Sequence, residues 1–411
     1  MKTDLDALMQ AENIDALLVT GPVRHNPYMF YLTGGGHITQ ADVIKKRGET
    51  TVLFHGAMER DEAAKTGLVT RSYSKYPMVE LLNEMGGSRL GAAALRYKRM
   101  LADVGVTAGR VALYGRTDLG SGYATMLKLQ ELAPEIEFVG VTGESIIMRA
   151  MATKDLSEIE RIRQVGKITT KVVGQVADFL TGQRVKDGFL VWPDGRPIML
   201  GEVKRKINLW LMENGAENPE DTIFAIGRDA GVPHSSGNPG DFLRLGQTIV
   251  FDIFPCEAGG GYFYDFTRTW CLGFAPDEVC LLYEDVHHVF KQIMQELEVG
   301  KPFSHYQERA CHMFEALGHP TIMSAPETEI GYVHSLGHGL GLHVHESPAS
   351  GLSASPKDIL EPGSVITIEP GLYYPDRGMG VRLENTVAVM PDGIFETLAD
   401  YPLDLVLPVG A

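Results

Sequence analysis

Cysteine is scarce in this chain. Four residues, Cys256, Cys271, Cys280 and Cys311, occur among 411, and none forms a C-x-x-C pair. That leaves no disulfide framework and no thiolate metal cluster to expect. The four read as reduced thiols, and the cytoplasm is the expected location. Positive charge is also short: 37 Lys and Arg against 53 Asp and Glu give a net charge of -16. A nucleic-acid partner requires a basic surface and is excluded on this balance. No apolar run reaches the roughly 20 residues that cross a bilayer. The N-terminal stretch MKTDLDALMQAENIDALLV carries acids where a signal peptide needs a basic and then an apolar run. No membrane partner is expected. Low-complexity segments and short-period repeats are missing as well. Gly34-Gly35-Gly36 is not G-x-G-x-x-G, so no dinucleotide site is read there.

The length suffices for two domains with substantial cores. Residues 1–150 alternate short strands with helices. Strands are expected at 16–20, 51–54, 110–114 and 136–141, and helices at 58–65 and 123–132. The pattern predicts an α/β N-terminal domain with a mixed sheet. The boundary falls near 148–154, where Asp155 and Glu158 form a capping-box pattern ahead of an apolar stripe from Ile159 to Val176. From 155 to 411 longer helices separate the strands. The spacing predicts helices over 202–213, stopped by Asn214-Gly215, and over 281–298.

The second domain is organised around 247–270, QTIVFDIFPCEAGGGYFYDFTRTW. Two strand-like runs flank Pro255 and Gly259-Gly260-Gly261, so a β-hairpin is expected. Placing Asp252 opposite Asp265 centres its turn on Ala258-Gly259. Facing carboxylates repel, and a bound cation is the natural offset. The device repeats further on. Strands at 365–369 and 380–387 flank the turn Pro375-Asp376-Arg377-Gly378 and set Glu369 opposite Glu384.

The third element, HSLGHGLGLHVHESP, carries His334, His338, His343 and His345. His334 and His338 are four apart, but Gly337, Gly339 and Gly341 argue against a helix. The run is not H-E-x-x-H. Four carboxylates and one imidazole suit two divalent metals, with manganese first and cobalt, iron or zinc next. His234, in GVPHSSG, reads by itself as a polar loop residue. Arg382 shares a strand face with Glu384, which points it inward.

The segments VFDIFP, YDFTRTW, SLGHGLGLHVHE, TIEPGLY and GVRLENT follow one another in this order. Over residues 155–411 they resemble the pita-bread metallopeptidases: Xaa-Pro dipeptidase (prolidase), aminopeptidase P and, more distantly, methionine aminopeptidase. The region before them, with Tyr31-Leu32-Thr33-Gly34, is similar to the creatinase-type N-terminal domain of the same group. The resemblance implies an α+β pita-bread catalytic domain, a homodimer, and a peptide or dipeptide as substrate. It implies hydrolysis of Xaa-Pro bonds by a metal-bridging hydroxide. By resemblance, Asp252 is the terminal ligand of one metal, Asp265 and Glu384 bridge, and His338 and Glu369 hold the other. Glu369 is also the proton acceptor. His345 and His234 face substrate, and His334 and Arg382 support the site. A metal-free creatinase-like amidinohydrolase, a metal-dependent lyase on the same fold, and an inactive peptide-binding module are the alternatives. One departure stands out: Asp252 and Asp265 are two residues further apart than is usual in the family. An even insertion keeps side chains on their faces, so a longer hairpin tip with an intact site is expected.

Overall fold

The computed structural model describes residues 4–141, 143 and 145–410. Residues 1–3 of the acidic N-terminal stretch and Ala411, where the second expected domain ends, lie outside them. Two compact units divide the chain. One runs to Met151 and includes Gly259–Gly261; the other takes Ala152–Ala258 and residues from Tyr262 onward.

Among the described residues the first unit holds six strands: β1 (Ala16–Gly21), β2 (Ala41–Lys46), β3 (Val52–His55), β4 (Val69–Ser72), β5 (Gly109–Gly115) and β6 (Ile136–Gly140). Their order is β4-β3-β2-β1-β5-β6. β1 and β3 run antiparallel to β2, whereas the β3–β4, β1–β5 and β5–β6 pairs are parallel. The sheet is therefore mixed. Helices α1 (Arg89–Asp103) and α2 (Leu119–Leu132) contribute Leu95, Met100, Leu101 and Leu129 to the core beside Leu18, Ile44 and Phe54. The sequence reading missed β2, which pairs with both β1 and β3. Its Lys45 breaks the apolar pattern, yet it is buried and paired with Asp6 at 2.7 Å.

The second unit opens with α3 (Leu156–Thr181). Asp155 accepts from the Ser157 and Glu158 amides, and the Glu158 carboxylate accepts from the Asp155 amide, so the capping box forms as expected. Helix α4 (Leu200–Glu213) ends at Asn214, as read. Helix α5 spans Asp277–Glu296, starting four residues earlier than expected because Pro276 is its N-cap. Helix α6 (Phe303–Ala316) goes beyond the elements expected from the sequence.

Three strand groups carry the chemistry. β7 (Thr222–Ile226), β8 (Thr248–Ile253), β9 (Phe266–Leu272) and a late strand at Val406–Leu407 form one sheet in that order. The second sheet contains β10 (His338–Gly339), β11 (Glu346–Ala349), β12 (Val365–Ile368), β15 (Asn385–Val389) and β16 (Phe395–Thr397), in the order β11-β10-β12-β15-β16. Between β12 and β15 in the chain, β13 (Gly371–Tyr374) and β14 (Met379–Arg382) form a two-stranded ribbon. The apolar stripes of α5 and α6 pack on Ile366, Ile368, Leu372, Val381 and Val387. Helices thus cover one side of these strands and leave the other to the polar residues.

Arg268 ties β9 to the C-terminal segment and to β15. Its guanidinium donates to the carbonyls of Thr267, Glu384, Tyr401 and Pro402 and to the Asn385 side chain, at 2.8–3.0 Å. Burial pulls its pKa down to about 10, and the side chain still carries its charge at neutral pH. Arg268→Met would strand those carbonyls without donors. A loss of about 3–5 kcal/mol is expected, the range for breaking a buried charged network. Urea unfolding checks it.

Candidate metal centre

The two hairpins bring the acids in from different directions. In the first, β8 pairs with β9 so that Asp252 faces Thr267 and Ile253 faces Phe266. The same register continues through Tyr264 to Pro255 and Glu257 to Tyr262, with Gly259 and Gly260 at φ 94 and 80 in the centre of the turn. This corrects the expected register. The turn sits on the two glycines that take positive φ, one position later than was read. Asp265 is therefore diagonal to Asp252, still on the same face. A diagonal pair lies about 7–8 Å apart where a direct pair would lie about 5 Å, which eases the repulsion and opens room for a ligand.

The second hairpin has the expected register. Gly371 faces Arg382, Tyr374 faces Met379, and Ile368 faces Asn385, all consistent with Glu369 opposite Glu384. Its turn falls on Pro375–Arg377, closed by Gly378 at φ 66. Both glutamates stand where the ladder is interrupted, with their amides bonded elsewhere: Glu369 to the Leu336 carbonyl and Glu384 to the Thr267 carbonyl. Those breaks free their side chains from strand alternation.

Asp265, His338 and Glu384 are all buried, and one ligand atom from each lies within 4.8 Å of the others. His338 donates from Nδ1 to the Gly339 carbonyl at 3.0 Å. Its Nε2 lone pair therefore faces Glu369 at 3.4 Å and Asp265 at 3.7 Å. Burial, with His345 nearby, drops its pKa to about 3, so the ring is neutral and ready to coordinate. Glu384 accepts from the Thr267 hydroxyl at 2.7 Å, and Asp265 from the Phe266 amide at 2.9 Å.

Arg382 holds the other flank. It donates to Asp252 Oδ2 at 2.5 Å, to the Tyr373 hydroxyl at 2.7 Å and to the Pro233 carbonyl at 3.3 Å. Asp252 Oδ1 is buried with no hydrogen-bond partner among the described residues. Tyr373 in turn meets His334 Nε2 at 2.8 Å, and His334 donates from Nδ1 to the Ser335 carbonyl at 2.7 Å. Burial, then Arg382, lowers the His334 pKa to about 3.

Desolvation raises the acids of Asp265 and Glu384 well above the carboxylate range, and the neighbouring carboxylates add to it. Glu369 is pushed up to about 8 by desolvation, with Arg382 opposing and Asp252 reinforcing. Four carboxylates around one neutral imidazole, with an orphaned Asp252 oxygen, form a donor set that divalent cations fit.

His345 and His234 lie at the exposed side. The His345 ring centroid is 4.3 Å from that of His338. Desolvation in this crowded mouth, then His234, lowers the His345 pKa. The structure thus gathers the candidate residues named from the sequence into one neighbourhood. Thr267, Tyr373, Lys154, Glu346 and Gln307 were not singled out. Gln307 pins the histidine segment: its Oε1 accepts from the Leu336 amide and Tyr332 hydroxyl, and its Nε2 donates to the His334 carbonyl. It sits on α6, whose regular apolar stripe hides a buried amide.

Residues 160–391 match the model of metallopeptidase family M24, and residues 3–151 match the creatinase/prolidase N-terminal domain. A protein named Xaa-Pro dipeptidase from Pyrococcus horikoshii is 25% identical over 387 residues, 94% of this chain and 93% of the relative. Another of that name from Pyrococcus furiosus is 29% identical over 273 residues, 66% of this chain and 69% of the relative. Among solved structures, an Xaa-Pro dipeptidase from Bacillus anthracis superimposes with a TM-score of 0.75 at 20% identity, covering 98% of this chain and 97% of that one. An X-Pro aminopeptidase from Thermotoga maritima gives 0.74 at 22% identity, covering 96% and 97%. The fold is the two-domain architecture of these enzymes, with the pita-bread arrangement in the second unit, and the family model matches more than half of the sequence. This chain belongs to metallopeptidase family M24.

Proposed function

We propose that this chain is a dinuclear metal-dependent peptidase that hydrolyses Xaa-Pro bonds, in dipeptides or at peptide N-termini. The observation that carries the reading is the buried convergence of Asp265, Glu384 and His338, flanked by Asp252 and Glu369. The relatives named Xaa-Pro dipeptidase and X-Pro aminopeptidase support the substrate class.

In this reading Asp252, Asp265, His338, Glu369 and Glu384 hold two cations, manganese first and cobalt, iron or zinc next. Bound there, the cations supply Lewis acidity and make water nucleophilic at neutral pH. The chain's own residues do the rest. Arg382 fixes one oxygen of Asp252 and leaves the other for a ligand. The Gly339 carbonyl fixes the His338 tautomer. Glu369, the most exposed of the four carboxylates, takes the proton of the attacking water and returns it to the leaving amine. His345 and His234 donate to the carbonyl oxygen as its charge develops. The four cysteines form no disulfide among the described residues, which fits the proposed cytoplasmic location.

The test combines metal counting with hydrolysis. Protein supplied with Mn²⁺, Co²⁺, Fe²⁺ or Zn²⁺ is offered Xaa-Pro dipeptides and longer Xaa-Pro peptides. Two cations per chain and cleavage before proline are expected. Dipeptides alone define a dipeptidase; first-bond cleavage of longer peptides defines an aminopeptidase P. Two cations without cleavage would redirect the site to a lyase or to peptide binding. No cation and no cleavage would overturn the reading.

A further inference from the structure

Lys154 and Glu346 form an ion pair at 2.7 Å, with side chains only 1% and 0% exposed. They lie 192 positions apart in the sequence. Neither belongs to the proposed ligand set, and two buried charges outside the chemistry need a reason. Desolvating such a pair costs several kcal/mol per ion in general, so it is weak evidence for stability alone.

The reason lies in the turn that carries His345. Residues 340–345 sit between β10 and β11 with few ladder bonds of their own. Glu346 folds back into this turn. Its Oε1 accepts from the amides of Leu342 and His343 at 2.7 and 3.0 Å, and its Oε2 takes the Lys154 ammonium. Gly341 makes room for it: a Cβ there would stand 2.4 Å from Glu346 Oε2. Lys154 is itself anchored, its amide donating to the Gly363 carbonyl at 2.8 Å, next to a bridge between Thr153 and Ser364 at the root of β12. Glu346 is wholly buried while His345, one position earlier, is exposed. Glu346 opens β11 with its side chain buried, and His345, in the bend directly before it, keeps its ring 4.3 Å from that of His338.

We infer that Lys154 and Glu346 are positioning residues that hold the His345 imidazole against the substrate's reacting carbonyl, acting through the 341–346 turn and not through the metal ligands. The pair rests on the proposed peptidase reading for its effect on rate, but the placement of His345 can be read without any substrate. Lys154→Met keeps the stem and removes the charge. Its kcat for an Xaa-Pro substrate is expected to fall about 10- to 100-fold, the usual effect of losing a residue that orients a site group. KM and the number of bound cations stay as in the parent. Lys154→Arg retains most of the rate.

The decisive comparison adds His345→Ala. If Lys154 acts through His345, Lys154→Met costs nothing further in that background. Independent, multiplying losses would overturn the inference, and so would loss of metal from Lys154→Met alone. Should the lone Glu346 charge prevent folding, the neutral pair Lys154→Met with Glu346→Gln replaces it in the same cycle. If the unaltered protein cleaves no Xaa-Pro peptide, the proposed function has failed, and histidine-labelled protein still tests the placement. The His345 ring resonance, assigned by its loss in His345→Ala, is expected to shift and broaden in the Lys154 variant while that of His319 stays. An unmoved His345 resonance would overturn the inference.

Discussion

Glu369→Gln should leave a folded protein whose kcat on Xaa-Pro substrates is lower by about 10²- to 10⁴-fold, the range for losing a positioned proton carrier. The amide oxygen can still face a cation, so metal content should fall far less than activity. KM should move only a few-fold, because the loss lies in proton transfer and not in uniform binding. The argument starts from geometry. Glu369 Oε1 stands 3.4 Å from His338 Nε2 and takes a weak bond from the Thr367 hydroxyl at 3.4 Å. Asp252 is held by Arg382, Glu384 by Thr267 and Asp265 by the Phe266 amide, so Glu369 is the least committed of the four acids. It is also the most exposed. Steady-state kinetics with metal analysis decides the matter. A variant within tenfold of the parent would move the proton-transfer role to another group.

Legibility in the sequence followed backbone period and local turn chemistry. The second hairpin could be registered from Pro375-Asp376-Arg377-Gly378 because its one obligatory positive-φ residue, Gly378, closes a short turn. The first hairpin has three consecutive glycines, and composition alone does not say which two take positive φ. The reading therefore slipped by one turn position and two in pairing, and the even slip kept Asp252 and Asp265 on one face. The capping box at Asp155 was legible because both partners lie within one turn. Lys154, Glu346, Arg268 and Gln307 were not, because each owes its role to residues far away in the chain. Arg268 reaches residues 401 and 402, and Lys154 reaches 346. A lone charged residue in a strand or loop looks solvated until its distant partners are placed. The mixed sheet was legible in outline, but β2 was hidden by Lys45, whose burial and pairing with the half-exposed Asp6 no periodicity reports.

Removing metal should make stability strongly dependent on pH, with a sign set by the carboxylate cluster. Desolvation raises Asp265, Glu384 and Glu369 above their unfolded values, Glu369 to about 8. Without cations, folding therefore favours the protonated acids. Their contribution is fully present below the unfolded carboxylate range, near pH 4, and is lost as pH rises through the folded values. The metal-free protein should thus lose Tm steadily from about pH 5 to above pH 8, against the common trend for paired surface acids. Cations replace the protons. Uptake near pH 6–7 should release protons, and the release should shrink once pH exceeds about 8, where Glu369 is already ionised. Calorimetric titration in buffers of different ionisation enthalpy counts them directly. Loaded protein should recover most at high pH: cations at 100 times their Kd add about 2.7 kcal/mol per site. Because the same carboxylates that repel one another in the empty site are the ones that attract the cations, metal affinity should increase as pH rises from 6 to 8. A metal-free protein whose Tm is flat across that window, or whose cation uptake releases no protons, would mean that the acids do not share one buried site.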